Sequence, residues 1–92
     1  MKIAVIGAGA WGTALAIHFD RCGHQVSLYA ETQQMADEIQ QRGENILFFK
    51  GFRLPEKMQI TADYSLLSQE DLILAVVPTG ALRQVAVTHL QK

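Results

Sequence analysis

Gly7, Gly9 and Gly12 stand in "IGAGAWG", directly after the branched apolar run from Ile3 to Ile6. Residues without side chains at this spacing suit one chemistry, the approach of main-chain N–H groups to phosphate oxygens. Gly7 permits a tight turn, Gly9 lets the backbone come close to a pyrophosphate, and Gly12 lets a helix pack closely on the strand. A helix that starts there adds its unpaired amides and the positive end of its dipole. The motif therefore predicts dinucleotide binding, with a merely glycine-rich turn as the alternative. A companion acid is expected about 20 residues further on, where it would hold ribose hydroxyls. Glu31 lies close to that point. Its charge would equally suit the first turn of the following helix, and both roles stay open. "ETQQMADE", residues 31–38, contains no Lys or Arg to meet a 2′-phosphate, so NAD is expected ahead of NADP.

These residues need a scaffold, and the hydrophobic pattern supplies one. Ile3 to Ile6 do not alternate, as expected of a parallel strand covered on both faces. A helix follows from Ala10 to Cys22 and Gly23 stops it; a second strand spans Gln25 to Tyr29. A polar helix from about Thr32 to Arg42 ends at Gly43, with Met35 and Ile39 as its core residues. Residues 44–55, including "FFKGF", are expected to form an ordered loop. Core or interdomain packing is favoured for that cluster over a partner surface or an adenine clamp. A short strand at Gln59 to Thr61 and a helical stretch around Ser65 to Ser68 lead into "DLILAVV", a buried strand that Pro78 ends. Thr79 would then cap a last helix running towards His89.

Strand–helix alternation implies an α/β fold, a Rossmann-type doubly wound parallel sheet in the order 3-2-1-4. The fourth strand's far edge is expected to lie unpaired, which is an aggregation hazard. On that ground residues 1–92 are expected to be the partial N-terminal dinucleotide-binding domain of a longer protein whose substrate domain is not in this chain.

Of the 92 residues 49% are hydrophobic and 18% charged, with a net charge of −1, an ordinary globular composition. Near-neutral charge leaves no footprint for nucleic acid or an anionic membrane. The longest apolar run, Leu72 to Pro78, is far short of the roughly 20 residues of a membrane span. Cys22 is the single cysteine, so no internal disulfide forms, and a reducing cytoplasm is the expected location. Met1 lies one residue from the first strand, so no leader is expected. His18, His24 and His89 match no zinc spacing, so no metal is expected. Cys22 lacks the positive helix end that activates a thiol.

Three ordered segments resemble the N-terminal part of NAD(P)-dependent glycerol-3-phosphate dehydrogenase, along essentially the whole chain. "GAGAWGTALA" is similar to that family's glycine loop, including an aromatic at Trp11. "GENILFFKGFRLP" resembles its pattern of Asn, two residues, Tyr-Leu-Pro, then Gly and Leu-Pro: Asn45, Gly51, Leu54 and Pro55 fit, while Phe48, Phe49 and Lys50 replace Tyr, Leu and Pro. "AVVPTGALR" looks like its strand followed by Val-Pro-Ser.

The resemblance implies reversible hydride transfer between dihydroxyacetone phosphate and sn-glycerol 3-phosphate with NAD(P)(H), supplying glycerophospholipid precursor. It implies cofactor contact at Ala10, Trp11 and Glu31 beside the three glycines, with Phe48, Pro78 and Thr79 nearby. Phe48 lacks the hydroxyl of the usual Tyr. The family's catalytic lysines and substrate-holding Asn and Arg match positions after Lys92, so no catalytic residue is expected in this chain and no turnover by it alone. A homodimer stays open.

Two other readings are kept. One is a dehydrogenase of the 6-phosphogluconate or ketopantoate reductase type, which would not carry "FFKGFRLP". The other is a stand-alone nucleotide-binding or redox-sensing module without activity of its own.

Overall fold

The computed structural model describes residues 1–45, 49–79 and 82–89. β1 (Lys2–Ile6) is the centre of the sheet, with Ile3, Ala4 and Val5 all buried. Burial on both faces explains its unbroken apolar run. α1 (Ala10–Arg21) buries Gly12, Thr13, Ala16 and Ile17, a stripe at helical spacing, against β1 and β2 (Gln25–Tyr29). α2 (Gln33–Arg42) packs on β5 (Gln59–Thr61) through a face that includes Ala36 and Ile39. Met35 is partly buried against the same core, as expected of it.

β1 pairs in parallel with β2 and with β6 (Leu72–Thr79), and β2 pairs in parallel with β5. The parallel order β5-β2-β1-β6 is the expected 3-2-1-4 arrangement. The register sets Ile3 beside Val26, and Val5 beside both Leu28 and Leu74, with Ile60 next to Leu28. That row and the buried stripes of α1 and α2 form one hydrophobic core. The opposite face carries Ala4, Ser27, Tyr29 and Thr61, all buried. A 3-10 helix (Tyr64–Gln69) crosses on that side, and the Tyr29 and Tyr64 rings stack 5.7 Å apart.

The ends of α2 follow local chemistry. The Thr32 hydroxyl accepts a hydrogen bond from the Met35 amide at 3.1 Å, and Gly43 closes the helix in the left-handed conformation at φ +73°. Thr32→Ala is expected to lower stability by about 1 kcal/mol, read as a lower urea midpoint at unchanged slope.

Two expectations need correction. Residues 44–55 are not a loop throughout: β3 (Glu44–Asn45) and β4 (Phe49–Arg53) form a separate antiparallel hairpin. The Gly51 amide donates to the Glu44 carboxylate at 2.9 Å, and the Leu54 amide to the Gly43 carbonyl at 2.7 Å. Among the described residues of this segment Leu54 joins the core and Phe52 is exposed; Phe48 of "FFKGF" lies outside the described residues.

The second correction concerns the last segment. Thr79 does not cap a helix: β6 runs through Pro78 to Thr79, and β7 (Leu82–His89) returns antiparallel beside it, Pro78 opposite Arg83 and Leu72 opposite His89. Val85, Val87 and Thr88 are β-branched and suit a strand. Pairing also satisfies the main-chain groups along the edge of β6 that would otherwise stand open. The sheet is therefore five-stranded and mixed, and the fourth strand's far edge is covered.

Candidate functional site

The carboxyl ends of β1, β2 and β6 meet at the glycine turn. The Gly7 amide donates to the Tyr29 carbonyl at 3.0 Å, so the turn is hydrogen-bonded to the end of β2. Gly7 has φ +111°, and a Cβ placed on it would sit 2.8 Å from the Val76 carbonyl oxygen of β6. Both facts exclude a side chain here. A Cβ on Gly12 would collide with the Gly7 carbonyl and come within 3.6 Å of Val5 Cγ1. Gly12 thus lets α1 rest directly on the turn, the close approach its place in the motif predicts.

Gly9 is the N-cap of α1, at φ −78° and ψ −170°, and its carbonyl accepts from the Thr13 amide at 3.0 Å. No side chain caps this helix end and its first turn carries no acid. Most helices satisfy their leading amides with Ser, Thr, Asp or Asn. Here those amides and the positive dipole end meet no capping side chain, an arrangement whose electrostatics suit an anion. Ala10 is half-buried, and Trp11 is 59% exposed beside it.

Glu31 is exposed and stands two residues beyond β2, next to the buried Ala30, whose amide is held by the Thr61 carbonyl at 2.8 Å. The cap of α2 is Thr32 rather than Glu31, and the first helical turn of α2 contains no acid. Pro78 and Thr79 are the last residues of β6, just beyond the Val76 carbonyl that lies against Gly7. The fold thus brings the glycines, Ala10, Trp11, Glu31 and the end of β6 to one edge of the sheet. Phe48 lies outside the described residues.

Asn45 is the residue of this site whose position the sequence did not reveal. Its side chain is 1% exposed. Nδ2 donates to the Ala8 carbonyl at 2.6 Å and to Thr13 Oγ1 at 3.0 Å, joining the β3–β4 hairpin to the turn. Its signal in the sequence was its fit to the glycerol-3-phosphate dehydrogenase pattern, two residues after the helix stop at Gly43, with no role attached to it.

Other polar features lie elsewhere. A cleft lined by Lys2, Gln25, Ser27, Lys57, Gln59 and Glu70 opens at the amino ends of the strands, whereas open α/β sheets bind ligands at the carboxyl ends. His18 and His24 lie towards the far end of α1, where His18 Nε2 is 3.7 Å from Cys22 Sγ; His89 ends β7. Among the described residues no three His, Cys, Asp or Glu side chains gather to hold a metal. No helix among them is long and apolar enough to cross a membrane.

Comparison with known proteins agrees with this geometry. Residues 2–92 match the family model for the NAD-dependent glycerol-3-phosphate dehydrogenase N-terminus. A glycerol-3-phosphate dehydrogenase (NAD(P)+) of Hydrogenovibrio crunogenus is 42% identical over 86 residues, 92% of this chain and 25% of the relative. One from Streptococcus uberis is 44% identical over 86 residues, with the same coverage of 92% and 25%. The crystal structure of glycerol-3-phosphate dehydrogenase from Coxiella burnetii superposes with a TM-score of 0.76 at 37% identity, over 84% of this chain and 24% of that one. The chain spans about a quarter of the length of the curated relatives it matches. A glycine turn built for close approach, an uncapped helix start and a family match over nearly every residue lead to one assignment: this chain belongs to the NAD-dependent glycerol-3-phosphate dehydrogenase family, as its N-terminal region.

Proposed function

We propose that residues 1–92 are the cofactor-binding part of a dehydrogenase that interconverts dihydroxyacetone phosphate and sn-glycerol 3-phosphate. The observation that carries this reading is the cradle at Gly7 and Gly12, closed to any Cβ, at an α1 N-terminus with no side-chain cap. A pyrophosphate fits such a donor set, since it brings charge to the dipole and acceptors to the amides. Gly7, Gly9, Ala10, Trp11 and Gly12 would line the phosphates. Glu31 would take the ribose hydroxyls, with Phe48, Pro78 and Thr79 towards the nicotinamide side. When bound, the nicotinamide supplies or accepts the hydride.

The protein's task in this region is to bind and orient. General acid catalysis requires a donor within hydrogen-bond reach of the developing alkoxide. We assign that donor, and the groups that grip the substrate phosphate, to the remainder of a longer polypeptide, so this chain alone binds cofactor without turnover. The relatives' names are those of NAD(P)+-dependent enzymes, which supports either nicotinamide. The absence of Lys and Arg from residues 31–38 favours NAD. The work is assigned to the cytoplasm, to supply phospholipid precursor.

A nucleotide-binding module without activity of its own is the second reading. It gains from β7, which covers the edge of β6 that would have argued against independent folding.

Trp11 is the only tryptophan, so its fluorescence reports directly on the turn. NADH is expected to quench it at lower concentration than NADPH, and Glu31→Ala to narrow that gap. Absence of any response would overturn cofactor binding; equal responses in the unmodified chain would remove Glu31 from its role. The polypeptide that contains this chain together with its substrate domain should reduce dihydroxyacetone phosphate. Failure with both nicotinamides would leave the module reading.

A further inference from the structure

We infer that Asn45 is a positioning residue for the cofactor: its amide group holds the Ala8–Gly9 peptide in the orientation that aims the turn's N–H groups outward. This rests on the cofactor reading above and assigns a control element to the same site.

The geometry is specific. Asn45 Nδ2 has two hydrogens and two acceptors at hand, the Ala8 carbonyl at 2.6 Å and Thr13 Oγ1 at 3.0 Å. All three groups are buried: Asn45 at 1%, Thr13 at 0% and Ala8 at 4% exposure. In a trans peptide the C=O and N–H lie in one plane and point in opposite directions across the C–N bond. Fixing the Ala8 carbonyl towards Asn45 therefore turns the Gly9 N–H the other way, away from the hairpin. Thr13 is the residue whose amide bonds the Gly9 carbonyl, so the second contact secures the first turn of α1 from the same side chain. One amide thus sets both the peptide that precedes the helix and the helix start.

Gly9 sets no conformation by sterics of its own, and α1 has no side-chain cap. The turn's shape must then come from outside it. Asn45 belongs to β3, which is joined through Gly43 to α2 and through β4 to Leu54 in the core. The brace is anchored in the folded body rather than in the loop.

Asn45→Asp separates positioning from packing, because it nearly keeps the shape while exchanging the donating amide for an acid that is charged when ionised, and the uncharged Thr13→Val change is the control for that charge. As a carboxylate it would face the Ala8 carbonyl oxygen with no hydrogen to offer. Burial raises the pKa of such an acid, and once protonated it regains one O–H donor. NADH binding, followed by Trp11 fluorescence, is expected to be about tenfold weaker than in the unmodified chain at pH 8. It should recover most of that loss by pH 6, while the unmodified chain changes less than twofold. Circular dichroism at each pH corrects for folded fraction.

If Asn45→Asp does not fold, Thr13→Val serves instead. It removes one of the two acceptors at nearly constant shape and should weaken NADH about threefold at every pH. A folded Asn45→Asp that binds like the unmodified chain at pH 8, or that is weak without recovery, overturns the inference. So does unchanged affinity in Thr13→Val. No NADH response from the unmodified chain is a different failure: it removes the cofactor reading, and the inference with it.

Discussion

Gly12→Ala is expected to eliminate the NADH response of Trp11 at concentrations that saturate the unmodified chain. The added methyl would occupy the space of the Gly7 carbonyl oxygen, while Val5 Cγ1 at 3.6 Å would be only an ordinary contact. Alanine is the better helix former by about 1 kcal/mol, so propensity alone predicts a gain. Overlap with main chain outweighs it, because the Gly7 carbonyl is not a flexible side-chain end that can turn aside. Relief requires α1 to lift from the turn, and overpacking of this kind typically costs about 1–3 kcal/mol. Lifting α1 also pulls its leading amides away from the glycine turn that they complete. Ile17→Val, in the buried stripe of the same helix, should lose a similar roughly 1 kcal/mol and leave NADH binding intact. Equal loss of binding in both variants would mean that general stability, not the close approach at Gly12, limits the site.

The second large effect lies on the opposite face of the sheet. Tyr29 is fully buried, stacked on Tyr64, and its hydroxyl has no hydrogen-bond partner among the described residues. Burial pushes its pKa up to about 12, with smaller contributions from the negative charges of Glu70 and Asp63. In the unfolded chain the phenol ionises near pH 10. The folded state thus holds the proton more tightly, and this stabilisation is complete below pH 10. It drains away as pH rises from 10 towards 12, by on the order of 2 kcal/mol. Tyr29→Phe removes both the ionisation and the orphaned hydroxyl. It should stabilise the fold by about 1 kcal/mol near neutrality, a rise of roughly 4–8 °C in Tm for a chain of this size. Its urea midpoint should fall less steeply than that of the unmodified chain between pH 10 and 12. Parallel midpoint curves, or a Phe variant that is less stable at pH 7, would show that the hydroxyl is satisfied in solution.

How far these features were legible in the sequence depended on how local their causes are. β1, α1 and β2 were readable because glycine spacing, β-branched runs and a helix stop act within a few residues of themselves. The strand order was readable because right-handed crossovers leave few alternatives. Asn45 was not, since its partners Ala8 and Thr13 lie 37 and 32 residues away and only the fold brings them together. Residues 79–89 were misread for a different reason. Thr79 and the spacing of Leu82, Val85 and Ala86 satisfy a helix, but the open main-chain edge of β6 favoured the strand option of Val85, Val87 and Thr88. Within "FFKGF", Gly51 turns the chain at φ +94° and Phe52 faces solvent, a local geometry that aromatic content alone does not specify.

A ribbon of peptide units has two flanks, and β6 has given one to β1 and the other to the returning strand that follows it. No third partner can be zipped on beside it. A further strand that joined this sheet would therefore lie beside β5, lie outboard of His89's strand or displace that strand, and the first two would leave the β1–β6–β7 neighbourhood intact.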